Sequence, residues 1–359
     1  MSVCITVPMK KKLYAVVFAC LMLSACATDE RAVSSSKLEP KIGLILPIES
    51  SQCARDILDA SRMAADDFNA QNPGLKFDIV PFDNSKASVL EAVGRLTDEG
   101  VRVFCAGFDA QIISQHNMLS GMRGVFFNFM MAYPPATLQG KNSTRIFFNG
   151  AQEADLLSGE LEKIHARGGL GNVAILAEDT PQYKSLSDYI SFAVSTSQRK
   201  VFRDYFSPGE SRFDIFARYI IPFRADAIIY VGAGPEFGAL RRDMLSASYK
   251  NTIARMRGME VYPKPVKGVV CPFSAFESGI LTAEGRDFAR AFKVRYLRPA
   301  SAFAAYGYDS AMLLMKAIKA SGFDVSKIRR QFTEKSYDGA CGSIRFDSSA
   351  DSTTPLVIR

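Results

Sequence analysis

Few side chains in this sequence have the types and spacings that catalysis or metal binding requires. The two histidines, His116 and His165, have no acids or cysteines around them at the spacing of metal ligands. The sequence also lacks a nucleophile elbow and a phosphate-binding glycine loop. Both histidines fall within helical patterns, which favours a position on a helix surface. The sequence therefore predicts a protein that is not an enzyme and binds neither a metal nor a cofactor.

Cys26 offers a different chemistry. Residues 10–12 are three lysines, and the apolar run at 13–23 is much shorter than the roughly 20 residues that span a bilayer. Residues 23–26, "LSAC", resemble a bacterial lipobox, in which the chain is cut before the cysteine and the thiol carries diacylglycerol. We therefore predict a lipoprotein signal peptide at 1–25 and a lipid on Cys26. An ordinary signal peptide with an incidental cysteine is the alternative.

A polar segment separates this cysteine from the folded part of the chain. Residues 26–40 lack any apolar period, which predicts a flexible tether. The formal net charge is +7, but charges of both signs are interspersed and no basic block occurs. Nucleic acid is therefore not a predicted partner.

From Lys41 onwards, apolar runs of strand length alternate with helical patterns. We predict strands at 41–48, 76–83, 101–108, 124–130, 144–150, 172–179, 200–207, 227–234, 266–273, 342–347 and 354–359. We predict helices at 53–71, 86–100, 109–123, 153–168, 182–197, 212–223, 235–248, 284–297, 303–321 and 324–334. The alternation predicts an α/β fold with doubly wound parallel sheets. Roughly 320 residues are long for one hydrophobic core, so we expect two halves that meet near residue 150.

Six stretches, in order, carry a resemblance to a known family. They are "IGLILPIES" with "ASRMAADDFNA", "DIVPFDNSKASVLEAVGRLTDEGVRVFCAG", "VAILAEDTPQYKSL", "AIIYVGAGPEFGALRRDM", "AAYGYDSAMLLMKAIKASG" and "YDGACGSIRFDSSADST". Together they resemble the branched-chain amino-acid-binding (leucine, isoleucine, valine) branch of the type I periplasmic binding proteins. The resemblance covers residues 41–359 and implies two lobes that close on a small solute.

The resemblance also implies where the chain passes between the lobes. Three hinge crossings are expected near 149–151, 272–275 and 337–339. The first lobe would hold 41–149 with 274–337, and the second 150–273 with 338–359. The ligand is expected in the cleft at the carboxyl ends of the parallel strands. Closure of the lobes would then bury it.

Counting strand ends gives the residues expected to line this cleft. They are Glu49, Ser50, Ser51, Phe108, Asp109, Met131, Tyr133, Tyr183, Gly234, Glu236 and Glu260. The alternative is that several apolar residues of this region, Met130 above all, pack within their own lobes: Phe108, Met130, Met131, Tyr133 and Tyr183.

The set departs from the pattern of the amino-acid binders in this family. Those proteins hold an α-carboxylate with small hydroxyls of the first lobe and the ammonium with an acid and aromatics of the second. Here Asp109 stands where the carboxylate would dock, Tyr133 replaces a threonine, and Gly234 or the alanine before it replaces a tyrosine. Glu260 remains in place for the family's acid. A simple α-amino acid is therefore disfavoured, and a larger, flatter or partly apolar solute is favoured.

Four cysteines remain in the folded part, and an even number permits disulfides in an exported protein. Cys53 and Cys105 fall on or beside neighbouring strands, and Cys271 and Cys341 fall near implied lobe crossings. We favour pairing within these two couples, although sequence alone does not determine the connectivity.

Two functions remain open. The first is a lipid-anchored solute-binding protein of an ABC-type importer, facing the periplasm at the bacterial cell envelope, with a small-molecule solute and a permease as partners. The second resembles the penicillin-binding-protein activators, envelope lipoproteins that act through contact with a partner protein and carry no transported solute. The departures in the cleft and the alanine after Cys26 favour the second more than usual.

Overall fold

The computed structural model describes residues 40–108, 110–132, 142–333 and 336–359. Within these ranges the strands are β1 (Lys41–Leu46), β2 (Asp78–Asp83), β3 (Val103–Gly107), β4 (Phe126–Met130), β5 (Ser143–Arg145), β6 (Val173–Glu178), β7 (Val201–Phe206), β8 (Ala227–Val231), β9 (Thr252–Arg255), β10 (Val269–Val270), β11 (Pro272–Ser274), β12 (Tyr337–Gly339), β13 (Gly342–Phe346), β14 (Ser352–Thr353) and β15 (Leu356–Ile358). The helices are α1 (Gln52–Gln71), α2 (Val89–Asp98), α3 (Ala110–Ser120), α4 (Gly150–Ile164), α5 (Pro181–Val194), α6 (Asp214–Phe223), α7 (Phe237–Ser246), α8 (Ala283–Tyr296), α9 (Ala302–Ala320) and α10 (Val325–Thr333). The predicted signal peptide and lipidated Cys26 lie outside these ranges, as does the tether up to Glu39.

The first sheet is parallel, with the strand order β2-β1-β3-β4-β5. In the register of β1, Ile42 lies beside Ile79 on one side and Val103 on the other. Apolar residues of β1 pack into two separate cores, one on each face of the sheet. A near-continuous apolar run suits a strand that is buried on both faces. The strand order reverses at β1, which opens a crevice at the carboxyl ends of β1 and β3.

The second sheet is also parallel, with the order β10-β9-β8-β6-β7. Strand β9 was not predicted, because only Ile253 and Ala254 are apolar in its four residues. The single strand predicted at 266–273 is instead split into β10 and β11. The split occurs because β11 leaves the sheet and pairs antiparallel with β15, with Pro272 opposite Ile358.

Helices α1 and α9 cover one face of the first sheet, although they come from opposite ends of the folded chain. A Cβ built on Gly307 of α9 would lie 2.8 Å from Cα of Ile57 in α1. The hydroxyl of Ser61 also donates to the carbonyl oxygen of Gly307 (3.3 Å). Ser51 and Ser301 are the N-caps of the two helices, and each accepts a hydrogen bond from a backbone N–H in the first turn. A close backbone contact thus fixes the last third of the chain to the first sheet.

The carboxyl-terminal segment contacts the first sheet and also forms a separate two-stranded sheet with β11. Asp351 forms an ion pair of 2.8 Å with Arg145 of β5, and both side chains are fully buried. Beyond it, β15 pairs with β11 and packs against α4. The residue boundaries assigned to the two lobes stay a prediction. Within the described ranges, no helix combines the length and apolar character needed to cross a bilayer.

Candidate ligand-binding cleft

Loops from the two sheets meet at the carboxyl ends of their strands, and the region between these loops is the cleft. The thiol of Cys53, at the start of α1, donates a hydrogen bond to the carbonyl oxygen of Met259 in the loop after β9 (3.5 Å). From that loop, the guanidinium carbon of Arg257 lies 4.4 Å from the ring centre of Phe148 and 4.8 Å from that of Phe303. Side chains of both lobes therefore meet across the cleft.

The turn between β1 and α1 contains three residues predicted to contact the ligand. The side-chain oxygen of Ser51 accepts a hydrogen bond from the backbone N–H of Ala54 (3.3 Å). The hydroxyl of Ser50 donates to a carbonyl oxygen in the same turn (3.4 Å). Glu49 is exposed and lies 2.6 Å from Nζ of Lys86. Both hydroxyls are therefore engaged by their own turn, and the carboxylate faces solvent.

Aromatic rings form the first-lobe side of the cleft. Phe108 follows β3 with a φ of 61°, a left-handed conformation that is uncommon outside glycine. Its ring centre lies 5.1 Å from that of Phe147 and 5.7 Å from that of Phe303. Phe148 completes the group, with its ring centre 5.9 Å from that of Phe303. The structure thus brings Phe108 into an aromatic wall, and its contact with a ligand stays a prediction.

Of three further residues predicted in this lobe, one lies away from the cleft and two lie outside the described residues. Met131 is buried among Phe127 and Phe129 in the core on the other face of the sheet. Asp109 and Tyr133 lie outside the described residues. The structure thus gives Met131 a packing role within its lobe, which was the alternative left open by the sequence.

Arg257 uses its guanidinium group entirely within the protein. Nε donates to Oε1 of Glu277 (2.8 Å), and Nη2 contacts the same carboxylate. Nη1 donates to the carbonyl oxygen of Gly258 (2.6 Å), and Nη2 also donates to that of Glu260 (2.9 Å). The side chain is 2% exposed. A buried arginine with a carboxylate, two carbonyls and two aromatic rings around it is well satisfied.

Two carboxylates hold this arginine in place. Oε2 of Glu277 accepts from both the N–H and the hydroxyl of Ser274 (3.0 Å each), which orients it towards Arg257. Glu153, near the start of α4, accepts from the backbone N–H of Arg257. Burial raises the pKa of Glu153 to about 7, and the nearby charge of Glu277 adds to the shift, while Arg257 and Arg255 oppose it. Glu153 is therefore about half protonated at pH 7.

A second arginine is paired at the end of β9. Nη2 of Arg255 lies 2.7 Å from Oε2 of Glu260, a predicted site residue. Gly234, also predicted, lies against this carboxylate: a Cβ built there would be 2.7 Å from Cγ of Glu260. Its φ of 113° is likewise accessible mainly to glycine. The structure thus brings together Gly234 and Glu260, but it couples the acid to a cation of the same lobe.

Acids after β6 and β8 stabilise the loops that carry them. Oε2 of Glu178 accepts from the backbone N–H of Ala233 (3.1 Å). Glu236, a predicted site residue, accepts from the hydroxyl of Tyr230 (3.3 Å) and from the N–H of Gly209 (2.8 Å). Burial raises the pKa of Glu178. These carboxylates are therefore engaged by donors of the second lobe.

Tyr183 is the predicted residue that behaves most like a ligand contact. It lies in the first turn of α5 and is 4% exposed. Its hydroxyl has no hydrogen-bond partner among the described residues. Burial is the main cause that raises the pKa of Tyr183 above its ordinary value, and the charge of Glu178 raises it as well. A buried phenol without a partner is costly unless another molecule supplies one.

The described cysteines do not form the predicted disulfides. Cys53, Cys105, Cys271 and Cys341 are all free and buried in the part of the chain that the structure describes. Cys53 faces the second lobe, whereas Cys105 faces Ser310 of α9, 3.6 Å away. Neighbouring strands do not suffice for a bridge, because Cys53 belongs to the helix after β1 and its side chain points away from β3. His116 is likewise buried rather than at a helix surface, and its ring lies edge-on to Phe129.

Sequence reasoning missed the residues that fill the middle of the cleft. Arg255 and Arg257 follow β9, which was too short to be recognised, so these residues were never counted as a strand end. Glu153 and Glu277 lie next to the implied crossings, but the sequence predicts Glu153 only as a residue of the helix at 153–168 and leaves Glu277 outside the predicted elements. The signal that could have revealed Arg255 and Arg257 is a pair of arginines separated by one residue in the apolar stretch "IARMRGM".

The chain matches a described family over most of its length. The family model for periplasmic binding proteins matches residues 39–355. No curated protein matches the chain significantly in sequence.

Solved structures share the architecture at low sequence identity. A leucine-binding protein from Thermotoga maritima is 20% identical, over 89% of this chain and 94% of its own, with a TM-score of 0.74. A solute-binding protein of an ABC transporter from R. palustris, in complex with benzoate, is 15% identical over 89% and 92%, with a TM-score of 0.72. A branched-chain amino-acid transporter binding protein from Streptococcus pneumoniae, in complex with isoleucine, is 16% identical over 89% and 95%, with a TM-score of 0.69. Likeness at these identities establishes a shared fold, and the predicted two lobes of doubly wound parallel sheets are confirmed.

Proposed function

Because the chain belongs to the periplasmic binding protein family, we propose that it captures a small solute in the cleft and delivers it to an ABC-type importer. The observation that carries this proposal is the hydroxyl of Tyr183, which is buried between the lobes and has no partner among the described residues. A polar group in that position is best satisfied by a bound molecule. The role is binding and closure, without catalysis.

A simple α-amino acid fits the cleft poorly. The hydroxyls of Ser50 and Ser51 are engaged by their own turn, and Glu260 is paired with Arg255. The similar structures are described with leucine, isoleucine, benzoate or 3,4-dihydroxybenzoic acid, so this fold accommodates both aliphatic and flat aromatic bodies. Phe108, the partly exposed ring of the aromatic wall, favours the second kind of body here, whereas Phe148 and Phe303 are buried beneath Arg257.

The proposed location is the periplasmic side of the bacterial envelope, with the chain anchored through lipid on Cys26. The support is the basic, apolar and lipobox-like sequence of residues 10–26. Incorporation of labelled palmitate into the wild-type protein, and its loss in Cys26→Ser, tests this part separately from solute binding. A Cys26→Ser variant that still incorporates label would contradict it.

Solute capture is tested by thermal unfolding of the full-length protein with amino acids, amides, purines and aromatic acids. A ligand at 100 times its dissociation constant stabilises the native state by about 2.7 kcal/mol, which raises the Tm by several degrees. Mass spectrometry of solute released from the purified protein provides a second measurement. If no compound raises the Tm and no solute is released, the importer role is excluded.

One observation favours a second function, that of an activator-like envelope lipoprotein that works through protein contact. Arg257 reaches across the cleft to Phe148 and Phe303 and is satisfied without a ligand. A cleft that closes on its own side chains needs no solute. Retention of a cell-wall synthase by the immobilised protein, with no solute-dependent rise in Tm, would favour this function over transport.

A further inference from the structure

The two arginines of the cleft are each paired with a carboxylate, and its other described carboxylates accept hydrogen bonds from the protein, so we propose that its ligand is an uncharged solute. The inference rests on the proposed function of solute capture and narrows it to a chemical class. The ligand would place an apolar body against the aromatic wall and a hydrogen-bonding group at Tyr183.

Each arginine of the cleft is paired with a protein carboxylate. Arg257 is bound by Glu277, by two backbone carbonyls and by two aromatic rings. Nη2 of Arg255 lies 2.7 Å from the carboxylate of Glu260, and its Nε is buried without a partner. A carboxylate ligand at Arg257 would have to displace Glu277 and leave that group buried without a partner. Such an exchange is unfavourable in a buried site.

The anions are not available to a cation either. Glu277 and Glu260 are paired with the two arginines, and Glu178 accepts from the backbone N–H of Ala233. Glu153 accepts from the backbone N–H of Arg257, and burial holds its pKa near 7, so it carries only part of a charge at neutral pH. An ammonium group would therefore meet carboxylates that are already engaged or partly protonated.

Most hydroxyl and thiol groups of the cleft already have a hydrogen-bond partner within the protein. Ser50 and Ser51 are engaged by their own turn, and the thiol of Cys53 donates to the carbonyl oxygen of Met259. The buried hydroxyl of Tyr183 has no partner among the described residues, and the buried Nε of Arg255 also has none. A neutral phenol can donate to a carbonyl oxygen or accept from an amide N–H. It offers no compensation for a full charge.

Two series of compounds with similar apolar bodies and different ionised groups test the inference. The first is benzamide, benzoate and benzamidine, and the second is 4-methylpentanamide, leucine and isoamylamine. Affinities for the full-length protein are measured by calorimetry at pH 7, with thermal unfolding as a second readout. We expect at least one amide to bind at least tenfold more tightly than its charged counterparts.

The outcomes separate the inference from the function on which it rests. If benzoate, benzamidine, leucine or isoamylamine binds as tightly as the matching amide, the inference is wrong, while solute capture stands. If no member of either series binds or raises the Tm, the inference is wrong, and the wider screen with the search for released solute decides whether solute capture stands. A preference for the amide supports both.

Two substitutions identify the groups responsible. Glu260→Gln removes the partner of Arg255 and should raise the affinity for benzoate at least tenfold relative to benzamide. Tyr183→Phe should lower the affinity for the amide at least tenfold, whereas Tyr219→Phe on the exposed face of α6 should not. Circular dichroism establishes that each variant is folded. An unchanged ratio in Glu260→Gln, or an unchanged affinity in Tyr183→Phe, overturns the assignment.

Discussion

Glu153 shows at the scale of one residue how the cleft depends on pH. Its carboxylate faces the backbone N–H of Arg257, with the side chains of Arg255, Arg257 and Glu277 nearby. Burial raises its pKa from 4.5 to about 7, so the native state holds this proton more tightly than the unfolded chain does. Its contribution to the free energy of unfolding therefore falls as the pH rises from about 4.5 to about 7.

Glu153→Gln should remove this pH dependence, because glutamine has no proton to lose and can still accept from the N–H of Arg257. The difference in unfolding free energy between variant and wild type should grow by up to about 3 kcal/mol between pH 4.5 and pH 8. Urea denaturation of both proteins across this range measures it. Burial raises the pKa of Asp309 and of Asp351 to about 6 as well, but both groups are present in both proteins and cancel in the difference. Parallel pH profiles would contradict the prediction.

Single residues of the cleft could be predicted only where their position determines their role. Phe108 and Tyr183 were predicted because they follow strand ends, and the structure gives Phe108 aromatic neighbours and leaves the hydroxyl of Tyr183 without a described partner, while their roles as ligand contacts stay predictions. Ser51 also follows a strand end, but it caps α1, and a capping serine and a ligand-binding serine look identical in sequence. The partners of Arg257 come from three distant parts of the chain, so no local pattern reveals them.

At the scale of elements, apolar periodicity predicted most strands and helices to within a few residues. Strand β9 was missed because a buried strand of four residues with one polar end has too little pattern. Strands β13 and β15 were predicted, whereas β12, β14 and the strand pairings of this segment were not. Pairing of β15 with β11 depends on contacts between residues far apart in sequence.

The contact between α1 and α9 makes a prediction at the same scale. Gly307→Val should destabilise the protein by about 3 kcal/mol, because a Cβ there would lie 2.8 Å from Cα of Ile57 and the helices would have to separate. Gly159→Val on α4 is the matched control, since nothing lies within 4 Å of its Cβ. Chemical denaturation measures both variants. Equal stability of the two would show that the helices tolerate a side chain between them.

At the scale of the whole molecule, Arg257 connects the two lobes. It belongs to the loop after β9 in the second sheet, and its guanidinium lies on rings that follow β5 and begin α9. Its carboxylate partner, Glu277, follows β11 beside an implied hinge crossing. Loss of one partner of a buried ion pair costs about 3–5 kcal/mol, because the other charge stays buried. The contacts of Arg257 with the two rings link the lobes and favour closure.

Arg257→Met should open the cleft, because methionine keeps much of the apolar stem and lacks the guanidinium. Cys53 reports the change, since its thiol contacts Met259 across the cleft, whereas Cys105 lies in the interior of the first lobe. Modification by N-ethylmaleimide, located by peptide mass mapping, should become at least tenfold faster at Cys53 and stay unchanged at Cys105. Arg257→Lys, which keeps the charge, should lie between wild type and the methionine variant. Equal acceleration at both thiols would indicate general unfolding, and no acceleration at either would show that closure does not depend on Arg257.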